Sequence, residues 1–203
     1  MIDFITFCDY TGTFAFAISG IRLASAKQFD WFGAYVVGLV TAVGGGTVRD
    51  ILLNATPFWM EHASYLIISA LALLFVIIFR KYVISLNNTF FIFDAIGLGL
   101  FGVVGIEKAL VYGFPMWVAI VMGTITGAFG GMIRDILINE VPLIFRKDIY
   151  ALACVFGGII YYACLQMGIT PSLTQSIAAS GIFVSRIVAV KYHISVPVLK
   201  GEE

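Results

Sequence analysis

Arginine and aspartate stand side by side at two places in this sequence, and each pair follows a cluster of glycines. Residues 44–54 read GGGTVRDILLN and residues 129–139 read FGGMIRDILIN, with seven of the eleven positions identical. Ionisable side chains in apolar segments are costly and usually face the protein interior or a water-filled cavity. The first candidates for a functional site are therefore Arg49, Asp50, Arg134 and Asp135.

The chain around these charges is too apolar for a water-soluble protein. Of its 203 residues, 61% are hydrophobic and 12% are charged, and the mean hydropathy is +1.01. A soluble domain carries about 25% charged residues, so we predict an all-α integral membrane protein. The formal net charge is zero, which argues against nucleic acid as a partner.

Seven segments are apolar enough to be transmembrane helices, each of which needs about 20 mostly apolar residues. They cover residues 4–24, 31–54, 62–80, 89–110, 115–139, 148–167 and 172–190. The connections, among them Asn87-Asn88, are too short to hold a soluble domain. We expect no signal peptide, because the first ten residues contain two aspartates and no basic residue.

The basic residues predict the orientation of these spans, since Lys and Arg collect in cytoplasmic loops. On the N-terminal side of the membrane, the main basic residue is Lys108. On the opposite side they are Arg22, Lys27, Arg80, Lys81, Arg146, Lys147, Lys191 and Lys200. We therefore predict a multi-pass protein of a prokaryotic inner membrane with its N-terminus outside and its C-terminus in the cytoplasm.

The two Arg-Asp motifs belong to an internal repeat with an offset of 85 residues. Residues 9–57 and 94–142 share 19 identities in 49 positions without a gap. Each copy holds three spans, and because three is odd, the second copy must be inverted in the membrane. Such inverted repeats recur in transport proteins. We predict a first repeat at 1–85, a second at 86–170, and a seventh helix with a cytoplasmic tail at 171–203.

The glycine clusters predict a break or kink near the middle of spans 2 and 5. Each glycine costs a helix about 1 kcal/mol relative to alanine, and unpaired backbone groups in lipid are tolerated only beside protein or a water-filled cavity. Carbonyls and hydroxyls there could replace the water shell of a small cation. The alternative is close helix packing through small residues. The predicted lining is Thr41, Gly44, Gly45, Gly46, Thr47, Thr126, Gly127, Gly130 and Gly131.

The buried charges predict one ion pair in each repeat, Asp9 with Arg49 and Asp94 with Arg134. Neighbouring helical residues do not face each other, so we do not expect Arg49 to pair with Asp50. Residues four apart on a helix can share a face, as Asp50 can with Asn54 and Asp135 with Asn139. The pairs could line a vestibule, or they could only hold the bundle together.

No pattern typical of catalysis or of a tightly bound cofactor appears. The sequence has no nucleophile–base pair, no phosphate loop and no metal-ligand spacing, so we predict neither an enzyme nor a metal or other cofactor. Cys8, Cys154 and Cys164 lie in apolar runs, which indicates small packing residues rather than disulfides.

The two glycine motifs, together with the PFW that follows the first and the segment GAFGGMIRDILINEVPLIFRKDIYA, resemble the prokaryotic trimeric intracellular cation (TRIC) channels. Bacterial members of this family are also described as glycine transporters. The resemblance covers nearly the whole chain. It implies a seven-helix protomer in a homotrimer, with an hourglass-like pore in each protomer beside helices 2 and 5. It also implies permeation by monovalent cations, K⁺ foremost. The Lys-Glu-Val lipid motif of animal members is absent from the second span.

Three functions are compatible with these features. The first is a K⁺-permeable channel, with membrane lipids and like protomers as its partners. The second is a secondary carrier for glycine or another small solute, in which a helix N-terminus at 45–48 binds a carboxylate. The third is a membrane assembly protein without transport activity. The buried charges and glycine clusters favour the first.

Overall fold

The structure is a computed structural model that describes residues 4–85 and 89–197. Within these residues it is helical, with one antiparallel bridge between Asp148 and Ser195. The predicted break at Asn87-Asn88 and the tail residue Lys200 lie outside the described residues. The helices are α1 (Phe4–Ala26), α2 (Trp31–Leu52), α3 (Phe58–Glu61), α4 (Ser64–Ile78), α5 (Arg80–Ser85), α6 (Thr89–Val111), α7 (Met116–Leu137), the 3₁₀ turn η1 (Leu143–Phe145), α8 (Ala151–Gln166) and α9 (Pro171–Lys191).

The all-α membrane fold predicted from composition is confirmed. In the described part of the chain, the seven longest helices coincide with the seven predicted segments to within a few residues. Four of them, α2, α6, α7 and α9, are both long and apolar enough to cross a membrane, while α4 and α8 are shorter apolar helices. The count of seven spans therefore stays a prediction.

The centre of the bundle consists of α1, α2, α6 and α7. In this group α1 packs on α2 and α6, and α7 packs on α2 and α6. The remaining long helices flank it: α4 packs against α1 and α2, α8 against α6 and α7, and α9 against α6 and α8. The offset of 85 residues relates α1 to α6 and α2 to α7, so the central group is built from corresponding helices of the two sequence copies.

The two helices that carry the Arg-Asp motifs end in the same way. Beyond α2, Asn54 has a φ of 55°, and beyond α7, Asn139 has a φ of 56°. Asparagine tolerates this left-handed conformation, which terminates a helix. The predicted shared helix faces of Asp50 with Asn54 and of Asp135 with Asn139 do not form, because each helix stops before its asparagine.

Ion pairs show which helix ends meet. Lys108, near the end of α6, lies 2.9 Å from Asp50 near the end of α2. Lys27, after α1, lies 2.6 Å from Glu140, which follows α7. We refer to these two ends of the bundle as the Asp50 end and the Asp135 end. The second is the end predicted to face the cytoplasm.

Candidate functional site

The glycines of α2 and α7 mark the place where these two helices cross. A Cβ atom added at Gly45 would overlap the backbone carbonyl oxygen of Thr126, and one added at Gly130 would overlap the carbonyl oxygen of Thr41. Since only glycine lacks a Cβ atom, these two positions let the backbones touch. The two contacts correspond under the 85-residue offset, so the crossing is pseudo-symmetric.

The predicted break at the glycines does not occur, whereas a kink within a continuous helix stays a prediction. Helix α2 runs from Trp31 to Leu52 and helix α7 from Met116 to Leu137, each without interruption. The intrinsic cost of glycine in a helix is offset here by the close interhelical contact that glycine permits. The packing alternative therefore describes Gly45 and Gly130 in this structure, and the crossing has no room for an ion between them.

Two of the three predicted pore threonines, Thr41 and Thr126, are buried at the same crossing. The hydroxyl of Thr41 donates to the Val37 carbonyl at 2.6 Å, and that of Thr126 donates to the Met122 carbonyl at 2.6 Å. Both hydroxyls are thus tied to their own helices. Thr47, which is partly exposed, accepts a hydrogen bond from Trp59 Nε1 at 3.0 Å.

The remaining glycines of the motifs each lie against a side chain, and Gly127 also lies against the Leu98 carbonyl. A Cβ atom at Gly44 would be 3.1 Å from Ile133 Cδ1, while at Gly46 it would meet the Phe58 ring. In α7, a Cβ atom at Gly127 would meet Cys154 Sγ and one at Gly131 would meet the Tyr150 hydroxyl. All four glycines are buried.

At the Asp135 end, Arg134 is fully buried and is the centre of a polar cluster. Its Nη1 donates to Asp94 Oδ1 at 2.5 Å and to the Ser19 hydroxyl at 2.8 Å, and its Nε donates to Asp135 Oδ1 at 2.9 Å. The structure therefore forms the expected pair of Asp94 and Arg134. Two carboxylates around one buried guanidinium keep the cation paired away from water.

At the Asp50 end, the expected pair of Asp9 and Arg49 is wrong. Arg49 Nε instead donates to Asp50 Oδ1 at 2.8 Å, and no ion pair within 4 Å joins Arg49 to Asp9 in the described part of the chain. The ammonium of Lys108 supplies a second cation to Asp50. The Arg49 guanidinium also lies 5.6 Å from the centre of the Phe58 ring, which favours this orientation of the side chain.

Contact between neighbouring Arg and Asp residues, which we did not expect, occurs in both motifs. Each aspartate turns toward the chain that follows its helix. Asp50 Oδ2 accepts from the Phe58 amide at 2.9 Å, and Asp135 Oδ2 accepts from the Leu143 amide at 3.0 Å. The other carboxylate oxygen then faces the Nε of the preceding arginine. The long arginine side chain reaches around the helix, so the rule for short neighbouring side chains does not apply.

Two further polar residues in apolar helices escaped the sequence reasoning, although both lie within predicted spans. Arg186 in α9 is 2% exposed and donates to the Ile149 carbonyl at 2.6 Å. Its guanidinium lies 5.0 Å from the Phe91 ring centre and 4.9 Å from that of Tyr150. Glu107 accepts hydrogen bonds from Tyr161 and Gln175. Both could have been identified from the sequence, because each places a charge within a predicted span, 172–190 for Arg186 and 89–110 for Glu107.

A cavity of about 260 Å³ opens at the Asp135 end and reaches the charged cluster. Arg134 and Asp135 line it, and Lys27, Glu140 and Arg146 lie around it. Glu140 forms ion pairs with Lys27 at 2.6 Å and with Arg146 at 3.5 Å. The hydrogen bond and positive charge of Lys27 lower the pKa of the Glu140 carboxyl below its ordinary value. No residue of 44–46 lines this cavity.

Nothing in the described residues has the form of a metal centre or a disulfide. No group of three or more His, Cys, Asp and Glu side chains that could hold a metal ion occurs in the part of the chain that the structure describes. The three cysteines are buried and free, as expected of packing residues.

Comparison with sequence families and relatives gives matches over nearly the whole chain. The family described as "Glycine transporter" matches twice, at residues 6–81 and 91–166. A UPF0126 membrane protein from Vibrio cholerae is 40% identical over 191 residues, covering 93% of this chain and 80% of its own. The UPF0126 inner membrane protein YadS of Escherichia coli is 36% identical over 198 residues, covering 96% of both chains. Together with the apolar helices, these matches indicate a multi-pass inner-membrane protein.

Solved structures give the same fold. A TRIC trimeric intracellular cation channel orthologue from Rhodobacter sphaeroides has a TM-score of 0.87 and 34% identity, covering 94% of this chain and 98% of its own. A structure described as the basis for conductance through TRIC cation channels also has a TM-score of 0.87, with 32% identity, covering 99% and 100%. These relatives are ion channels and not enzymes. With this fold, these identities and the doubled family match, the chain belongs to the prokaryotic TRIC family, whose sequence family carries the description "Glycine transporter".

Proposed function

We propose that this protein is a channel for monovalent cations, with K⁺ as a permeant ion. The observation that carries the proposal is the likeness over 99% of the chain, with a TM-score of 0.87, to a structure described as the basis for conductance through TRIC cation channels. Each protomer contains its own pathway. Three protomers assemble, and the name of the Rhodobacter relative describes that protein as trimeric.

We place the pathway along α2 and α7, between the Asp50 end and the Asp135 end. Two observations support this placement. Each end carries a buried Arg-Asp motif, and the cavity of about 260 Å³ leads from the Asp135 end to Arg134. The pseudo-two-fold division into 1–85, 86–170 and 171–203 then puts one vestibule at the end of each repeat. The N-terminus lies outside and the Asp135 end faces the cytoplasm.

The tight crossing of α2 and α7 is proposed as the closed point of this pathway. Opening separates the two helices, so that Gly45 leaves the Thr126 carbonyl and Gly130 leaves the Thr41 carbonyl. The freed carbonyl oxygens then face the pathway, where they can replace part of the water shell of a cation. The predicted lining by Gly44–Gly46, Thr47, Gly127 and Gly131 applies to this open arrangement.

The first test is the current across a planar bilayer that contains the purified protein in a KCl gradient. Unitary steps with a reversal potential on the cation side are expected, and the protein reconstituted after heat denaturation is the control. Silence of the bilayer together with saturable uptake of labelled glycine into liposomes would instead establish the carrier, the second function compatible with the sequence.

The second test asks whether α2 and α7 separate. The Cβ position of residue 44 is 3.1 Å from the Ile133 side chain, so the double variant Gly44→Cys, Ile133→Cys can be joined by a short bis-methanethiosulfonate reagent. Cross-linking should abolish the current, and a reductant should restore it. Each single cysteine variant treated with the same reagent is the matched control. An undiminished current through fully cross-linked protein would contradict a gate at the crossing.

A further inference from the structure

A second cavity lies away from the proposed pathway. Its volume is about 380 Å³, and its walls are the ends of α1, α2 and α4 at the Asp135 end of the bundle. Ser25 in the last turn of α1, Trp31 at the first turn of α2 and Arg80 just after α4 all line it. The exposed fraction of Trp31 is 72%, which is typical of an aromatic residue at a membrane–water interface.

The lining of this cavity is divided by chemistry. The part formed by the helices is apolar, with Ile21, Leu73 and Val76 among its residues. Its polar groups, on Ser25, Gln28 and Arg80, all come from a helix end or from the turn between α1 and α2. The cavity is therefore apolar toward the membrane core and polar toward the interface.

The second half of the chain has a larger side chain at the position that corresponds to Val76. Val76 corresponds to Tyr161 under the 85-residue offset, and Tyr161 is 2% exposed. It packs with Ile106 and Ala119, which correspond to the lining residues Ile21 and Ala34. A valine of the cavity wall thus corresponds to a buried tyrosine that packs against the counterparts of two other lining residues.

The charge at the polar end of the cavity suits an anion. Arg80 forms no ion pair with any residue that the structure describes. In the second half its counterpart is Leu165, so the equivalent position there carries no positive charge. A guanidinium binds phosphate well because it offers several N–H donors in a fixed plane. A serine hydroxyl and a glutamine amide add two neutral donors.

We propose that this cavity is a binding site for one anionic phospholipid in each protomer. The phosphate binds Arg80 with the hydroxyl of Ser25 and the amide of Gln28, and an acyl chain lies along the apolar wall formed by Leu73 and Val76. The basic end of the bundle faces the cytoplasmic leaflet in the predicted orientation, and that leaflet carries anionic headgroups. The site lies between α1, α2 and α4 and is separate from the α2–α7 crossing.

Native mass spectrometry of delipidated protein in detergent tests this site, with phosphatidylglycerol and phosphatidylcholine of the same acyl chains as probes. The wild-type protein should bind phosphatidylglycerol at least fivefold more tightly than phosphatidylcholine. Arg80→Gln should remove most of that preference. Lys81→Gln is the matched control, since it removes the same charge from the adjacent residue, which does not line the cavity.

A second variant tests the apolar part independently of charge. Val76→Phe places a ring where the second half has Tyr161 and should reduce binding of both lipids, while size-exclusion chromatography checks that assembly is retained. Inorganic phosphate should not displace bound phosphatidylglycerol, because it lacks the acyl chain.

Three results would overturn the lipid site. They are equal affinities for the two lipids, equal losses in Arg80→Gln and Lys81→Gln, and full displacement by phosphate. The binding measurement needs no current, so it stands apart from the proposed channel activity.

Discussion

Gly45 lies directly against the backbone carbonyl oxygen of Thr126. The reciprocal contact of Gly130 with the Thr41 carbonyl repeats it on the other side of the α2–α7 crossing. Two helices can approach this closely only where one of them lacks a Cβ atom at the point of contact. The glycine clusters therefore determine how near the two central helices come to each other, and with that the width of any pathway beside them.

Substitution of alanine at the crossing should separate the two helices. Gly45→Ala or Gly130→Ala introduces a methyl group against a backbone carbonyl that cannot move without shifting its helix. Overpacking of this kind costs about 1–3 kcal/mol, so each variant should show a lower midpoint of thermal unfolding in detergent. Gly44→Ala is the control, because its methyl group would meet the flexible end of Ile133. Equal midpoints for all three variants would show that the crossing is not tight.

The two repeats should respond unequally to loss of their first aspartate. Asp94→Asn removes a buried ion-pair partner of Arg134, and breaking a buried pair by removing one partner typically costs about 3–5 kcal/mol. Asp9→Asn should cost markedly less, because Arg49 pairs with Asp50 and not with Asp9. The comparison of unfolding midpoints for the two variants checks this. If Asp9→Asn lowered the unfolding midpoint as much as Asp94→Asn or more, the result would instead support the pair of Asp9 with Arg49 that the sequence predicted.

In α9, the buried Arg186 should contribute more to stability than the exposed Lys191. Arg186→Met removes a charged hydrogen bond to the Ile149 carbonyl, an interaction worth about 1.5–3 kcal/mol, together with stacking on Tyr150 and Phe91. We expect a clear fall in the unfolding midpoint. Lys191→Gln, which removes an exposed charge in the last turn of the same helix, should leave the midpoint nearly unchanged. A similar change of midpoint in the two variants would show that buried Arg186 stabilises the fold no more than an exposed charge does.

The ion pairs of Glu140 should make stability depend on acid. Lys27 holds the pKa of the Glu140 carboxyl below its ordinary value of 4.5, so the folded state binds the proton less tightly than the unfolded state does. The stabilisation is therefore complete above about pH 4.5 and declines as pH falls through the folded pKa. The difference in unfolding midpoint between wild type and Glu140→Gln should be present at pH 7 and shrink at acidic pH. A difference independent of pH would contradict the ion pair.

Much of this protein could be predicted from its sequence, because segment length, apolarity, the repeat and charges in apolar segments are all visible in it. The length and apolarity of the segments predicted the helices to within a few residues. The 85-residue offset predicted that Gly45 and Gly130, or Thr41 and Thr126, would occupy corresponding places. An unpaired carboxylate in an apolar bundle is unstable. The charges in the apolar segments therefore predicted the ion pair of Asp94 with Arg134.

Only the tertiary structure decided how these groups satisfy one another. Propensity indicated a break at the glycines, but contact with the facing carbonyls keeps α2 and α7 continuous. Arg49 pairs with Asp50, whose carboxylate also binds the Phe58 amide beyond the helix and Lys108 of α6. Neither Phe58 nor Lys108 can be identified as a partner of Asp50 from local spacing. Arg186 and the open space beside Val76 likewise depend on which helices meet. Periodicity and composition report the surroundings of a residue along one helix, whereas pairing and cavities depend on the distances between helices.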